Sequence, residues 1–293
     1  MKDAARLLAY LAATLLFGAV LAPYLYWSGQ ALAARGVLPF LDHYEFETFF
    51  HRALLIGAVV FLWPLLRSLR IGEWRAGLGL RSNPRATRDT IAGFLLSALP
   101  LLLCGAAIVV CGLYSVRNAI RWPALGSVFA ATIVVPLVEE TLFRGLILGV
   151  LLRGMSKAAA IFLTSALFSV LHFLKAPENT NAVVTATSGF VSIANAFVQF
   201  GQPLLLLAGF STLFLIGWIL ADARVRTQSL WLPIGLHAGW IFANGVFNKI
   251  AHREMVMLPW LGKNLLVGLI PLGVGLITWA LVRTWLRYAT AKT

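Results

Sequence analysis

Apolar runs long enough to cross a bilayer recur from one end of this chain to the other, and no other property narrows its architecture as much. At 1.5 Å rise per residue, about 20 predominantly apolar residues span the hydrocarbon core as a helix. Lipid supplies no hydrogen-bonding partner for a backbone, so such runs close their peptide groups internally as α-helices. Eight runs are expected to do so, at about 6–27, 52–66, 90–114, 124–152, 157–174, 203–222, 229–248 and 264–286. The second and fifth are short, and the fourth is long enough to tilt or to project beyond the membrane. A ninth stretch, 182–200, is rich in Thr, Ser, Asn and Gly and is expected to be a loop with an interfacial or re-entrant helix. With 60% hydrophobic and 12% charged residues, a soluble globule is excluded. The expected fold class is all-α, a polytopic membrane protein of about eight transmembrane helices forming a single domain over 1–293.

The formal charge of +13 would suggest nucleic acid in a soluble chain. Here the basic residues sit in short connectors between apolar runs, where they set topology, so no nucleic-acid partner is expected. Connectors on one side carry nearly twice the Lys and Arg of the other, which places both termini in the cytoplasm. The first run is too long for a signal-peptide core and reads as a retained helix. Between Arg67 and Asp89 lies the longest charged connector, read as an anchor on anionic lipid in preference to a substrate-binding element. The stretch holding Asp42, Glu45, Glu47, Phe46, Phe49 and Phe50 is expected to rest on the membrane surface as an amphipathic helix. His43, His51 and His252 fall near run boundaries and read as interfacial side chains.

Within the fourth run stand Glu139, Glu140 and Arg144, charges that an apolar span keeps only for a reason. Each costs several kcal/mol to desolvate unless it is paired or hydrogen-bonded. His172 lies in the fifth run and His237 in the seventh. The turn Arg153-Gly154-Met155-Ser156-Lys157 folds runs four and five into an antiparallel hairpin. Glu139 and His172 are equidistant from its midpoint, so they are expected at one depth, facing each other. Glu140 and Arg144, spaced i, i+4 with the glutamate N-terminal, are expected to pair on one helix face. That leaves Glu139, about 100° round the helix, free to act as a general base with His172. His237 would then supply an N–H to a developing oxyanion.

Two histidines and a glutamate also make an adequate zinc ligand inventory, with a position left open for water. A reading without cofactor is preferred because no helix carries a close-spaced histidine pair. Intramembrane Glu, Arg and His equally mark proton-coupled transporters, and the same network in a non-catalytic scaffold would serve packing alone.

The ordered motifs Glu139-Glu140-x-x-x-Arg144, Phe168-x-x-x-His172 and a third opening at His237 resemble those of the CPBP intramembrane proteases, also called the Abi or type II CAAX prenyl endopeptidase family. The resemblance spans about 124–248. It implies a glutamate-type, metal-independent endopeptidase with its active site among runs four, five and seven. Glu139 and His172 would activate water, His237 would stabilise the oxyanion, and Glu140 and Arg144 would form a supporting ion pair. The implied partners are membrane lipids and a membrane-tethered or lipophilic peptide substrate. One position departs from the pattern: four residues after His237 the family usually has asparagine, whereas this chain has Ile241. Trp240 is the expected replacement donor, ahead of Asn244.

Overall fold

The computed structural model describes residues 2–70, 74–81, 83–120, 122, 124–173, 183–197, 201, 203–255, 257–262 and 264–290. They are almost entirely helical: α1 Lys2–Ala34, α2 Phe46–Ser68, α3 Trp74–Gly77, α4 Ala86–Val110, α5 Ala124–Glu140, α6 Leu148–Leu151, α7 Lys157–Phe173, α8 Ser188–Ala196, α9 Pro203–Thr227, α10 Trp231–Ile250 and α11 Leu269–Thr290. A π-helical turn, Thr141–Ile147, joins α5 to α6. A two-stranded antiparallel ribbon pairs β1 Tyr114–Val116 with β2 Ala251–Arg253, Ser115 opposite His252.

Each of the eight expected runs lies for most of its length on helix, the fourth on α5, the π turn and α6 together; helix is missing at the end of the third, 111–114, and at the start of the seventh, 229–230, and of the eighth, 264–268. Among the described residues five helices are long and apolar enough by themselves to cross a membrane: α1, α2, α4, α9 over Leu206–Thr227 and α11 over Leu269–Tyr288. Such a chain is a multi-pass integral membrane protein. Large apolar side chains stand outward on these helices, Leu103 and Val59 among them, as lipid-facing surfaces require. At the end of α4, Gly112 takes φ +70-class backbone (φ 73°) and donates to Val109 O while Leu113 donates to Ile108 O, which closes the helix before the ribbon begins. The third run is expected to continue to 114, but the helix ends at Val110, a turn follows, and the strand begins at Tyr114.

The chain divides into two compact units, 1–74 with 173–202 and 75–172 with 203–293. In the first, α1 and α2 pack closely, with Gly18 against Leu54 and Gly57 against Thr14 O. Ala19, Ala22, Phe46, Phe50 and Ala53 form their buried seam. The expected surface helix near Glu47 is instead the first turn of α2: Glu47 is buried and its Oε1 accepts a hydrogen bond of 2.7 Å from Ser192 of α8. At nine residues α8 is too short to span, and it rests on α1, where only Gly189 leaves room for Ala19 O.

In the second unit, α4 and α10 meet backbone to backbone. A Cβ on Gly93 would lie 2.6 Å from Leu232 O, one on Gly235 would run into Thr90 O, and one on Gly239 would strike Ser97 Oγ. Gly235 and Gly239 are i, i+4 and share the α10 face turned to α4. His237, two residues from each, is thereby turned to the opposite face. The α9 helix lies close to α7, with Gly217 against Ser165 and Phe210 O accepting from Ser169 Oγ at 2.8 Å. On the other side α11 meets α9 at Gly275 and Leu215.

Candidate active site

Glu139 ends the α5 stretch that faces the hairpin, and His172 comes from the far end of α7. His172 Nε2 lies 3.1 Å from Glu139 Oε2, so the equidistance of the two residues from the turn does bring them together. One residue on, Glu140 points into the protein, where its Oε1 accepts from Arg144 Nη1 at 2.8 Å and from His237 Nδ1 at 2.7 Å. The second imidazole nitrogen, His237 Nε2, stands 3.9 Å from Glu139 Oε2. All five predicted side chains therefore belong to one cluster. The sequence reading paired Glu140 with Arg144 only; its bond to His237 joins the supporting pair to the facing one.

Exposure separates two halves of this cluster. Glu140 and Arg144 are 0% exposed, whereas the side chains of Glu139 and His172 keep 26% and 24%. The ion pair is sealed and the acid–imidazole pair can be reached by a reactant. Arg144 has further support: Nη2 donates to Gly217 O of α9 at 3.4 Å, and its guanidinium carbon lies 4.3 Å from the Phe168 ring centroid. Even so, Glu140 Oε2 and Arg144 Nε have no hydrogen-bond partner among the described residues, so this pair carries a desolvation cost that its bonds only partly offset.

Hydrogen-bond inventory restricts the protons. His172 Nδ1 lies 2.9 Å from Phe168 O; a carbonyl only accepts, so Nδ1 carries hydrogen. Nε2 then faces a carboxylate oxygen, and a bond there needs one proton held between Glu139 and His172. For His237, Nδ1 faces a carboxylate already accepting from arginine and must donate. His237 Nε2 can therefore donate only as part of an imidazolium, flanked by Glu139 and Glu140.

Phe168 had been noted only as a motif letter. It is 1% exposed, its ring centroid lies 4.0 Å from that of His172, and it makes an edge contact with His237 at 6.2 Å. It holds both imidazoles and the guanidinium in place; an aromatic one helical turn before a histidine is the signal that marks it. The π turn was also unforeseen. It begins immediately after Glu140 and contains Arg144, and such widened turns favour functional positions. Thr141 Oγ1 donates back to Leu137 O at 2.6 Å, and Pro136 removes one backbone donor nearby.

Trp240 is 3% exposed and Asn244 Oδ1 is buried without a partner, and among the described residues neither is hydrogen-bonded to Glu139, His172 or His237. His252 sits in the ribbon with Ser115 and Glu254: Ser115 Oγ lies 3.3 Å from Nδ1 and 3.0 Å from Nε2, and Glu254 Oε1 lies 2.9 Å from Nε2. The Ser115 hydroxyl donates directly to Glu254 Oε1 and not to the imidazole as a nucleophilic triad requires, so this is an exposed polar cluster. Among the described residues no group of three or more His, Cys, Asp or Glu side chains is arranged to hold a metal ion.

Multiple membrane-length helices, with a partly open acid–imidazole pair backed by a sealed ion pair, define a multi-pass membrane protein with a buried polar cluster. Residues 120–243 match the family model described as Type II CAAX prenyl endopeptidase Rce1-like. This segment is an Rce1-like domain of the type II CAAX prenyl endopeptidase (CPBP) family, and that membership implies a protease. The matched range takes in Glu139, Glu140, Arg144, Phe168, His172 and His237 and stops one residue before Asn244. Neither the curated proteins nor the solved structures gave a significant match to the chain.

Proposed function

We propose that the protein is an intramembrane endopeptidase that hydrolyses a peptide bond in a membrane-associated or lipophilic protein or peptide. The observation that carries this reading is the 3.1 Å contact between Glu139 and His172, across a helical hairpin and open to a reactant. Water bound beside Glu139 loses a proton to the pair as its oxygen attacks the carbonyl carbon. The carbonyl oxygen becomes an oxyanion and accepts from His237 Nε2–H; with the imidazolium and Arg144 both positive, Glu140 and the oxyanion together balance their charge. When the tetrahedral centre collapses, the C–N bond breaks and the amine leaves with the proton held between Glu139 and His172. Atoms and charge balance without further reactant. Trp240 N–H is the proposed second oxyanion donor in place of the residue missing at Ile241.

Eight membrane crossings, with the site among the fourth, fifth and seventh and both termini cytoplasmic, fit the helical runs and the bias of Lys and Arg among connectors. The test is comparison of membrane peptides from cells making wild type or Glu139→Gln protein, by mass spectrometry. A new terminus present only with wild type, and lost again in His172→Ala at unchanged protein level, is the expected result, with cleavage reduced roughly 10²- to 10⁴-fold or more. Cleavage undiminished in both variants overturns the reading.

A further inference from the structure

At one end of the second unit, a cavity of about 480 Å³ opens between the start of α4, the α9–α10 turn and the last turns of α11. Three candidate spans end here together, at Ala86, Thr227 and Tyr288, so the cavity lies where apolar helix surface gives way to the polar layer of a membrane. Its wall carries four guanidinium groups, Arg81, Arg85, Arg88 and Arg226, against one carboxylate, Asp89. Arg226 is held by Asp222 at 2.9 Å, and Arg88 Nε stands 3.7 Å from Asp89 while lying over Trp285. Among the described residues Arg81 and Arg85 make no ion pair within 4 Å, although Arg85 lies close enough to Asp89 to attract its carboxylate. Neutral donors complete the wall: Ser229, Gln228 and Asn83. Asn83 shapes the loop by accepting from Arg85 N–H at 2.9 Å and donating to Ser229 Oγ at 3.3 Å.

This volume falls within the range of small-molecule sites and exceeds what a lone ion fills. Arginines in excess of carboxylates, with amide and hydroxyl donors beside them, match the oxygens of a phosphate group, and basic pockets between helix ends at the cytoplasmic face suit anionic headgroups. Nothing in the proposed hydrolysis uses these residues; Trp231, the first residue of α10 and two positions after Ser229 of the cavity wall, is about 9 Å along the helix from His237. We propose that the cavity is a specific site for a phosphate group of net negative charge, the headgroup of an anionic phospholipid, with Arg81 and Arg85 as its principal ligands.

Purified protein in a neutral detergent, followed by thermal unfolding, tests this with short-chain phosphatidylglycerol, short-chain phosphatidylcholine and inorganic phosphate as probes. Phosphatidylglycerol is expected to raise Tm by about 5 °C at saturation and phosphatidylcholine by much less. The rise should vanish in Arg81→Gln/Arg85→Gln and persist in Arg153→Gln/Lys157→Gln, which removes equal charge outside the cavity. Gln228→Glu, an exposed change that adds a negative charge to the same wall, should shrink it and serves if the double variant does not fold. A comparable rise with inorganic phosphate alone would keep the phosphate site and overturn the lipid as its source. Equal response to both lipids, or equal loss in both double variants, overturns the site. Glu139→Gln protein should respond as wild type does, so failure here and failure of the protease reading are separable.

Discussion

Among single residues, Arg144 carries the largest structural burden. It is fully buried, pairs with Glu140, caps a carbonyl of α9 and lies over Phe168. Arg144→Ala leaves Glu140 buried with His237 as its remaining partner, and loss of about 3 kcal/mol or more is expected, read as a lowered midpoint in denaturant unfolding. Phe168 separates packing from positioning. Phe168→Leu keeps apolar volume near its original value and is expected to cost about 1.5 kcal/mol or less, yet it removes the ring stacked on His172. The expected kinetic signature is a fall in kcat with KM little changed; a KM effect alone would mean that the ring serves substrate binding instead. The contact of Glu139 with His172 was legible because both residues belong to one hairpin, in which sequence separation from the turn translates into depth. His237 was legible as a polar residue in an apolar run, but not as the partner of Glu140, 97 positions away.

The decisive elements are α4 and α10. Glycine at 235 and 239 lets two backbones touch, and that contact, not any bond of the histidine, chooses the face on which His237 is presented. Gly235→Ala places a Cβ against Thr90 O, a backbone atom that cannot swing aside, so the helices must part. Destabilisation of about 1–3 kcal/mol is expected, with cleavage lost more steeply than stability because His237 moves away from Glu140. Gly149, with open space around the position of a Cβ, is the control: Gly149→Ala should leave both unchanged. The paired glycines were readable as a small-residue face, but their partner helix was not. Equally unreadable was the π turn, since a change from one hydrogen-bond spacing to another within a run leaves the apolar composition of that run the same.

For the molecule as a whole, the prediction concerns topology. The eight proposed crossings would put the two termini on the same side, and the Lys and Arg bias would make that side cytoplasmic. Cysteines introduced near residues 2 and 290 are expected to resist a membrane-impermeant thiol reagent in intact cells and to react after permeabilisation, on a background lacking Cys104 and Cys111. Labelling of either in intact cells would reverse that arrangement. Among the described residues the helices that qualify as spans by their own length and apolarity are α1, α2, α4, α9 and α11; those that carry the acid–base cluster, α5, α7 and α10, are not among them. At 17 residues each, α5 and α7 fall short in length and not in apolarity, α5 because the π turn succeeds it; α10 is long enough, but its histidine, asparagines, lysine and glycines lower its apolarity.

From residue order alone came the helical class, the runs, the hairpin of α5 and α7, and the five side chains that gather in the cluster, because apolar length, charge within it and equal distance from a turn are all local quantities. Only tertiary structure decided that Glu140 bonds both Arg144 and His237, that Phe168 braces the imidazoles, and that three arginines of 81–88 and a fourth from the end of α9 wall one cavity. Those arrangements depend on which helix faces come into van der Waals contact, and that is set by complementary shape between segments far apart in the chain, which no run of residues records by itself.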